Sequence, residues 1–196
     1  NQGDWVGARE YYQMALSVVP ENHLVAHHLA LNYLNTQAMV AAREIWQSLI
    51  EKFPQHFPSW FFLGTIHYEV GEYEHAKRCF KAALAIDSEH VETLSNLGAV
   101  YLHFENAQRA IELFEKAVAL QPSNLFARTN LAATLLTSGK ISQAIQQYYE
   151  LLTAIPNDFT AHYNLGTIFM EQRKWESAHY HLQTAVEIDP ASFAAV

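Results

Sequence analysis

Apolar residues along this chain fall into stretches of about 13 positions at helical spacing, two stretches to each recurring block. In one block Leu94, Leu97, Tyr101 and Leu102 share such a spacing, and Ala110, Ile111, Phe114, Ala117 and Val118 follow on a second stretch. Each stretch predicts an amphipathic helix with one face turned to a core. The breaks between stretches are of two kinds. Gly3-Asp4, Gly71-Glu72 and Gly139-Lys140 separate the helices of a pair, because glycine takes the left-handed conformation that stops a helix. Pro20, Pro54, Pro122, Pro156 and Pro190 end the second helix of a pair, since proline lacks an amide hydrogen and restricts the residue before it. Asn22, Asn124 and Asp158, placed just after these prolines, are the expected N-caps of the helices that follow.

The prolines keep a phase of 34 residues, with Ser88 standing at the one position where a proline is missing. In the same register lie six alanines, Ala8, Ala42, Ala76, Ala110, Ala144 and Ala178. Five leucines, Leu29, Leu63, Leu97, Leu131 and Leu165, are each followed by Ala or Gly. Tyr12, Trp46, Phe80, Phe114 and Tyr148 form an aromatic column that Leu182 ends. These columns resemble the tetratricopeptide repeat, whose pattern runs Trp, Leu-Gly, Tyr, Ala, Phe and Pro at fixed offsets. Leu97-Gly98, Tyr101, Ala110, Phe114, Ala117 and Pro122 match it, as do Trp60, Leu63-Gly64, Ala76, Phe80 and Ala83. The resemblance implies an all-α fold, a right-handed α-solenoid of antiparallel helix pairs forming a tetratricopeptide-type superhelix. Residues 1–196 then form a single array. Five full units run over 23–56, 57–90, 91–124, 125–158 and 159–192, with half a unit at 1–22 and the start of another at 193–196.

No such unit buries its apolar face alone, so stability is expected from the stacking of neighbours. Gly64, Gly98 and Gly166 are expected to let the first helix of a unit approach Ala76, Ala110 and Ala178 on the second. An array that starts and stops within a repeat, and does not begin with Met, reads as a piece of a longer protein. Its end residues, Tyr11, Met14 and Ala15 on one side and Val186 and Ile188 on the other, lack neighbours, which leads us to expect end-to-end self-association.

Composition narrows the function. With 50% apolar and 16% charged residues the chain is not a disordered segment. A net charge of −8 without a basic stripe argues against nucleic acid as a partner. No apolar run approaches the roughly 18 residues of a membrane span, so no membrane insertion is expected. The single Cys79 excludes an internal disulfide, which fits a cytoplasm without excluding a periplasm. Among eleven histidines, His23 and His27, and likewise His75 with Cys79, are four apart, while His179 and His181 are two apart. None of these pairs has an evident third ligand, so neither metal nor cofactor is expected. Phosphate-loop, paired-carboxylate and Ser-His-Asp patterns are lacking, and the chain reads as non-catalytic.

The resemblance also implies that the first helices line a concave face where peptides bind. In the amino-terminal part that face offers His27, Phe61, Phe62, Thr65 and Tyr68, aromatic and apolar in character. In the carboxy-terminal part it offers Ser95, Asn96, Asn130, Tyr163, Asn164 and Thr167. Asn96, Asn130 and Asn164 form a column, and an amide both donates to and accepts from a peptide backbone. Helical layers about 8–10 Å apart would let one asparagine hold an extended chain about every third residue. This column resembles the asparagine ladder in the repeat region of O-linked N-acetylglucosamine transferases. Phe61 and Phe62 stand where later units carry Ser95-Asn96, Thr129-Asn130 and Tyr163-Asn164, which points to an apolar anchor pocket. Arg128 is isolated, and no lysine occupies the positions of the carboxylate clamp used by chaperone-tail-binding members of the family. The expected function is a protein–protein interaction scaffold that binds a peptide or protein segment. The alternative is a substrate-recruiting arm of a larger glycosyltransferase-like enzyme.

Overall fold

The computed structural model describes residues 4–193, and among them every regular element is helical. After α1 (Trp5–Val18) come the pairs α2 (His23–Asn35) with α3 (Met39–Lys52) and α4 (Phe57–Glu69) with α5 (Tyr73–Ile86). Then follow α6 (Val91–His103), α7 (Ala107–Leu120), α8 (Leu125–Thr137), α9 (Ile141–Ala154), α10 (Phe159–Glu171) and α11 (Trp175–Ile188). A short 3-10 turn, Pro190–Phe193, closes the described chain. Successive 13-residue helices begin 34 residues apart, and so do the 14-residue helices that follow them.

The local chemistry accounts for these limits. The side chains of Asp4, Asn22, Asn106, Asn124 and Asp158 each accept from a first-turn amide of the helix they precede. Pro58 sits in the first turn of α4, where a missing amide hydrogen costs nothing. Gly71 and Gly139 occupy the left-handed region, with φ of 78° and 72°. Gln37, Glu105 and Arg173 adopt the same conformation at the corresponding turns without being glycine. Gly3 lies outside the described residues, as does most of the segment 193–196.

The chain divides into two compact units, residues 1–103 and 104–196. Within the first, α1 packs on α2, α2 on α3, α3 on α4, α4 on α5 and α5 on α6. Within the second, α7 packs on α8, α8 on α9, α9 on α10 and α10 on α11. Trp46, Leu63, Ile66, Ala76 and Phe80 are buried in the core of the first unit, and Ala144, Tyr148, Leu151, Leu165 and Ile168 in that of the second. A polar network adds to the packing at the start, where Arg9 Nε donates to Asn32 Oδ1 and Asn32 Nδ2 donates to the Trp5 carbonyl.

At Gly64 and Gly166 the nearest neighbour lies four residues beyond the alanine column. A β-carbon on Gly64 would lie 2.6 Å from the Phe80 ring, and one on Gly166 would lie 2.6 Å from Leu182 Cγ. At both positions the space is taken by the larger side chain four residues beyond the alanine, because that side chain reaches across to the first helix.

One further contact recurs in both units. Trp60 Nε1 donates to the Pro54 carbonyl at 2.8 Å. Arg128 Nη2 donates to the Pro122 carbonyl at 2.9 Å, and His162 Nε2 meets the Pro156 carbonyl at 3.0 Å. Each donor lies six residues after its proline. It ties its helix to the loop just before, satisfying a carbonyl that the preceding helix leaves unpaired.

Candidate functional site

In the first unit the expected inward aromatic residues fall into two groups of rings, one around Phe61 and Phe62 and one around Tyr68. Phe62 stacks on the buried Trp46, with centroids 4.9 Å apart and planes 9° from parallel. His27 lies against both rings and accepts from Trp46 Nε1 at 3.0 Å. Its burial, with His56 and His28 nearby, lowers the His27 pKa to about 4, so the ring is neutral near pH 7. Phe61 packs against Phe57, Phe62 and His90. Tyr68 meets Tyr73 and His103, and burial raises its pKa, with a smaller contribution from Tyr73. Thr65 Oγ1 donates to the Phe61 carbonyl within its own helix.

Ser95 is not on an open face. It is 1% exposed and its hydroxyl donates to the Val91 carbonyl at 2.8 Å, so it packs within the unit and offers nothing to a ligand. The neighbouring Asn96 is half-buried. One residue of helix turns the side chain by about 100°, which is what separates the two.

In the second unit Asn130 and Asn164 are half-buried and placed alike. Asn130 Nδ2 donates to the Phe126 carbonyl at 2.8 Å, and Asn164 Nδ2 donates to the Thr160 carbonyl at 2.9 Å. Each amide is thereby fixed through its nitrogen, leaving Oδ1 as the group able to accept from a partner. Tyr163 is exposed and stacks on Phe159 at 5.9 Å, while Thr167 Oγ1 donates to the Tyr163 carbonyl.

Arg128 departs from its isolated place in the sequence. It is 6% exposed and donates to Gln147, Glu150 and the Pro122 carbonyl. Gln147 and Glu150 lie about twenty residues away on α9, a separation that no local pattern reveals. Another pair escapes the sequence for the same reason. The buried His162 and His181 approach through their Nδ1 atoms at 3.0 Å, and His181 Nε2 lies 3.4 Å from the Tyr149 hydroxyl. Both line a cavity of about 530 Å³ with Tyr149, Tyr180 and Glu176.

Elsewhere the titratable groups serve packing. Burial raises the Cys79 thiol to about 11, which keeps it protonated near pH 7 and a poor nucleophile. His67 pairs with Glu72, whose pKa that hydrogen bond lowers. Among the described residues no three His, Cys, Asp or Glu side chains are grouped so as to hold a metal ion. Among those residues, too, no helix is long and apolar enough to cross a membrane.

Family models described as Tetratricopeptide repeat match residues 59–123 and 89–157, and others so described match 26–56 and 159–192. The chain belongs to the tetratricopeptide repeat family. Its solved structural neighbours share that fold at low sequence identity. YrrB, described as a TPR protein with an unusual peptide-binding site, is 21% identical at a TM-score of 0.84, covering 93% of this chain and 94% of its own. The MamA protein is 18% identical at a TM-score of 0.79, covering 87% and 93%. The Cut9–Hcn1 hetero-tetramer structure of the APC/C is 19% identical at 0.70, covering 96% of this chain and 37% of the other. No curated protein sequence gives a significant match. As a tetratricopeptide array the chain has the fold of an interaction scaffold, a helical repeat with all-α helix pairs.

Proposed function

We propose that this array is a non-catalytic scaffold that holds an extended peptide or protein segment along the faces of its first helices. The observation that carries the reading is the matched pair Asn130 and Asn164. Both lie in the second unit at equivalent positions, each with its amide nitrogen engaged by its own helix. Two carbonyl oxygens on successive layers can accept from a ligand backbone about three residues apart, reading chain direction more than side chains. Within the first unit Asn96 stands at the same repeat position, and Phe61, Phe62 and Tyr68 offer apolar contact area of their own. YrrB's peptide-binding description supports a peptide ligand for this fold. The repeat boundaries at 23, 57, 91, 125 and 159 belong to the same proposal.

The test selects binders from a random peptide library with the wild-type chain. Affinities are then measured again with Asn130→Ala/Asn164→Ala. Two lost hydrogen bonds should weaken binding about tenfold or more, with the melting temperature retained. Equal affinity for both proteins would remove the ladder.

End-to-end association of copies is a further part of the proposal. Of the residues expected to take part, Tyr11, Met14 and Ala15 on α1 and Val186 on α11 are exposed, while Ile188 is half-buried. Sedimentation over a concentration series reads this out, and a fixed monomer mass would exclude it.

A further inference from the structure

The cavity of about 530 Å³ on α9, α10 and α11 has a composition unlike that of the proposed peptide face. Its floor is the His162–His181 pair, and His181 receives two tyrosine rings edge-on. Tyr149 stands 5.8 Å away at 61°, and Tyr180 stands 5.0 Å away at 74°. Tyr180 is 62% exposed and Tyr149 45%, so both rings also reach the open side. Glu176 supplies a carboxylate to the same cavity, and none of its lining residues is Lys or Arg.

One fixed point orders the hydrogen bonds in the floor. The Pro156 carbonyl only accepts, so His162 Nε2 carries the hydrogen that meets it at 3.0 Å. With His162 in the tautomer that carries only this hydrogen, its Nδ1 accepts and His181 Nδ1 donates across the 3.0 Å between them. His181 Nε2 is left to accept, and the Tyr149 hydroxyl is its donor at 3.4 Å. The chain of donors therefore runs inward from Tyr149 to the Pro156 carbonyl. It leaves the Tyr149 oxygen with lone pairs to offer. Burial and the neighbouring His162 lower the pKa of His181, which favours its uncharged form.

Aromatic faces, an acceptor oxygen and a carboxylate around a cavity free of cations make a receptor for positive charge. The nearby cations Lys174 and Arg128 are already engaged, and Arg173 does not line the cavity. Lys174 Nζ lies over the Phe169 ring at 5.6 Å, and Arg128 is paired with Glu150. Glu176 has no ion pair among the described residues. The chain's net charge of −8 draws basic partners toward it. We infer that this cavity is a second binding site, which takes an arginine side chain of a partner polypeptide between Tyr149 and Tyr180, with Glu176 as its counter-ion. A planar guanidinium stacks on a tyrosine ring while forking to a carboxylate, which an ammonium group cannot do. The cavity also lies within the size range of small-ligand sites.

The test titrates the whole chain with acetyl-Gly-Arg-Gly-amide and with its citrulline counterpart, which keeps the shape and loses the charge. Aromatic NMR resonances of Tyr149, Tyr180 and His181 report occupancy. The arginine peptide should shift them saturably, and citrulline should bind about tenfold more weakly. Glu176→Gln and Tyr180→Leu should each weaken the arginine peptide severalfold, whereas Tyr180→Phe keeps the ring and the affinity. Asn130→Ala/Asn164→Ala should leave this titration unchanged, which separates the site from the peptide face. Equal binding of citrulline, shifts confined to other residues, or full affinity in Glu176→Gln and Tyr180→Leu would each overturn the assignment.

Discussion

Trp46 donates its indole N–H to His27 Nδ1 at 3.0 Å, so the imidazole must keep that nitrogen unprotonated for the contact to exist. The folded pKa of His27, about 4, lies below the ordinary value of 6.5, chiefly through burial and then through His56 and His28. The unfolded chain therefore binds a proton more readily than the folded one between these two values. Stability from this group is complete above pH 6.5 and declines as pH falls toward about 4. His56 is shifted in the same direction, also by burial first. Allowing for solvent screening of a half-buried ring, the loss attributable to His27 should be about 1–2 kcal/mol. Urea unfolding at pH 7 and pH 4.5 checks this. Wild type should lose that much more between the two than His27→Gln, and equal losses would show that the ring is not the cause.

Tyr148 takes the aromatic place held elsewhere by Phe80 and Phe114, and it is fully buried. Its hydroxyl has no hydrogen-bond partner among the described residues, and burial, with Asp158, raises its pKa to about 12. A buried hydroxyl without a partner costs about 1–3 kcal/mol. Tyr148→Phe removes the polar atom and keeps the ring, so it should stabilise the chain by about 1 kcal/mol. Denaturant midpoints measure it, and a destabilised variant would mean that the hydroxyl is satisfied in solution.

Gly64 is held by the Phe80 ring, whereas Gly71 is held by its backbone alone. A β-carbon at Gly64 meets the ring at 2.6 Å, while one at Gly71 meets nothing within 4 Å but must sit at a φ of 78°. Gly64→Ala should cost about 1–3 kcal/mol by overpacking, and Phe80→Leu in the same chain should recover part of that loss. Gly71→Ala should cost about 1 kcal/mol with no recovery from Phe80→Leu. Thermal melts of the four variants separate the two causes.

Much of the architecture is legible in the sequence because it is local. Asn22, Asn124 and Asp158 cap the helices they precede, and Gly71 and Gly139 take the positive φ that their turns require. Gln37 and Arg173 turn the chain in the same conformation, and residue type alone would not mark them. The inner-face assignment is blurred where adjacent residues compete, as the buried Ser95 beside the half-buried Asn96 shows. Arg128 and the His162–His181 pair were not legible. Their partners come from a neighbouring helix, and periodicity fixes which face a residue occupies without fixing which side chain it meets.

Trp60, Arg128 and His162 share a task while differing in size, charge and shape. In these three modules the position carries a reach of a certain length ending in an N–H, delivered by an indole, a guanidinium or an imidazole, whereas Ala26 and Leu94 hold the same place in the other two. A comparison of these modules letter by letter therefore understates their kinship, and would score as divergence what is the same latch cast in three materials.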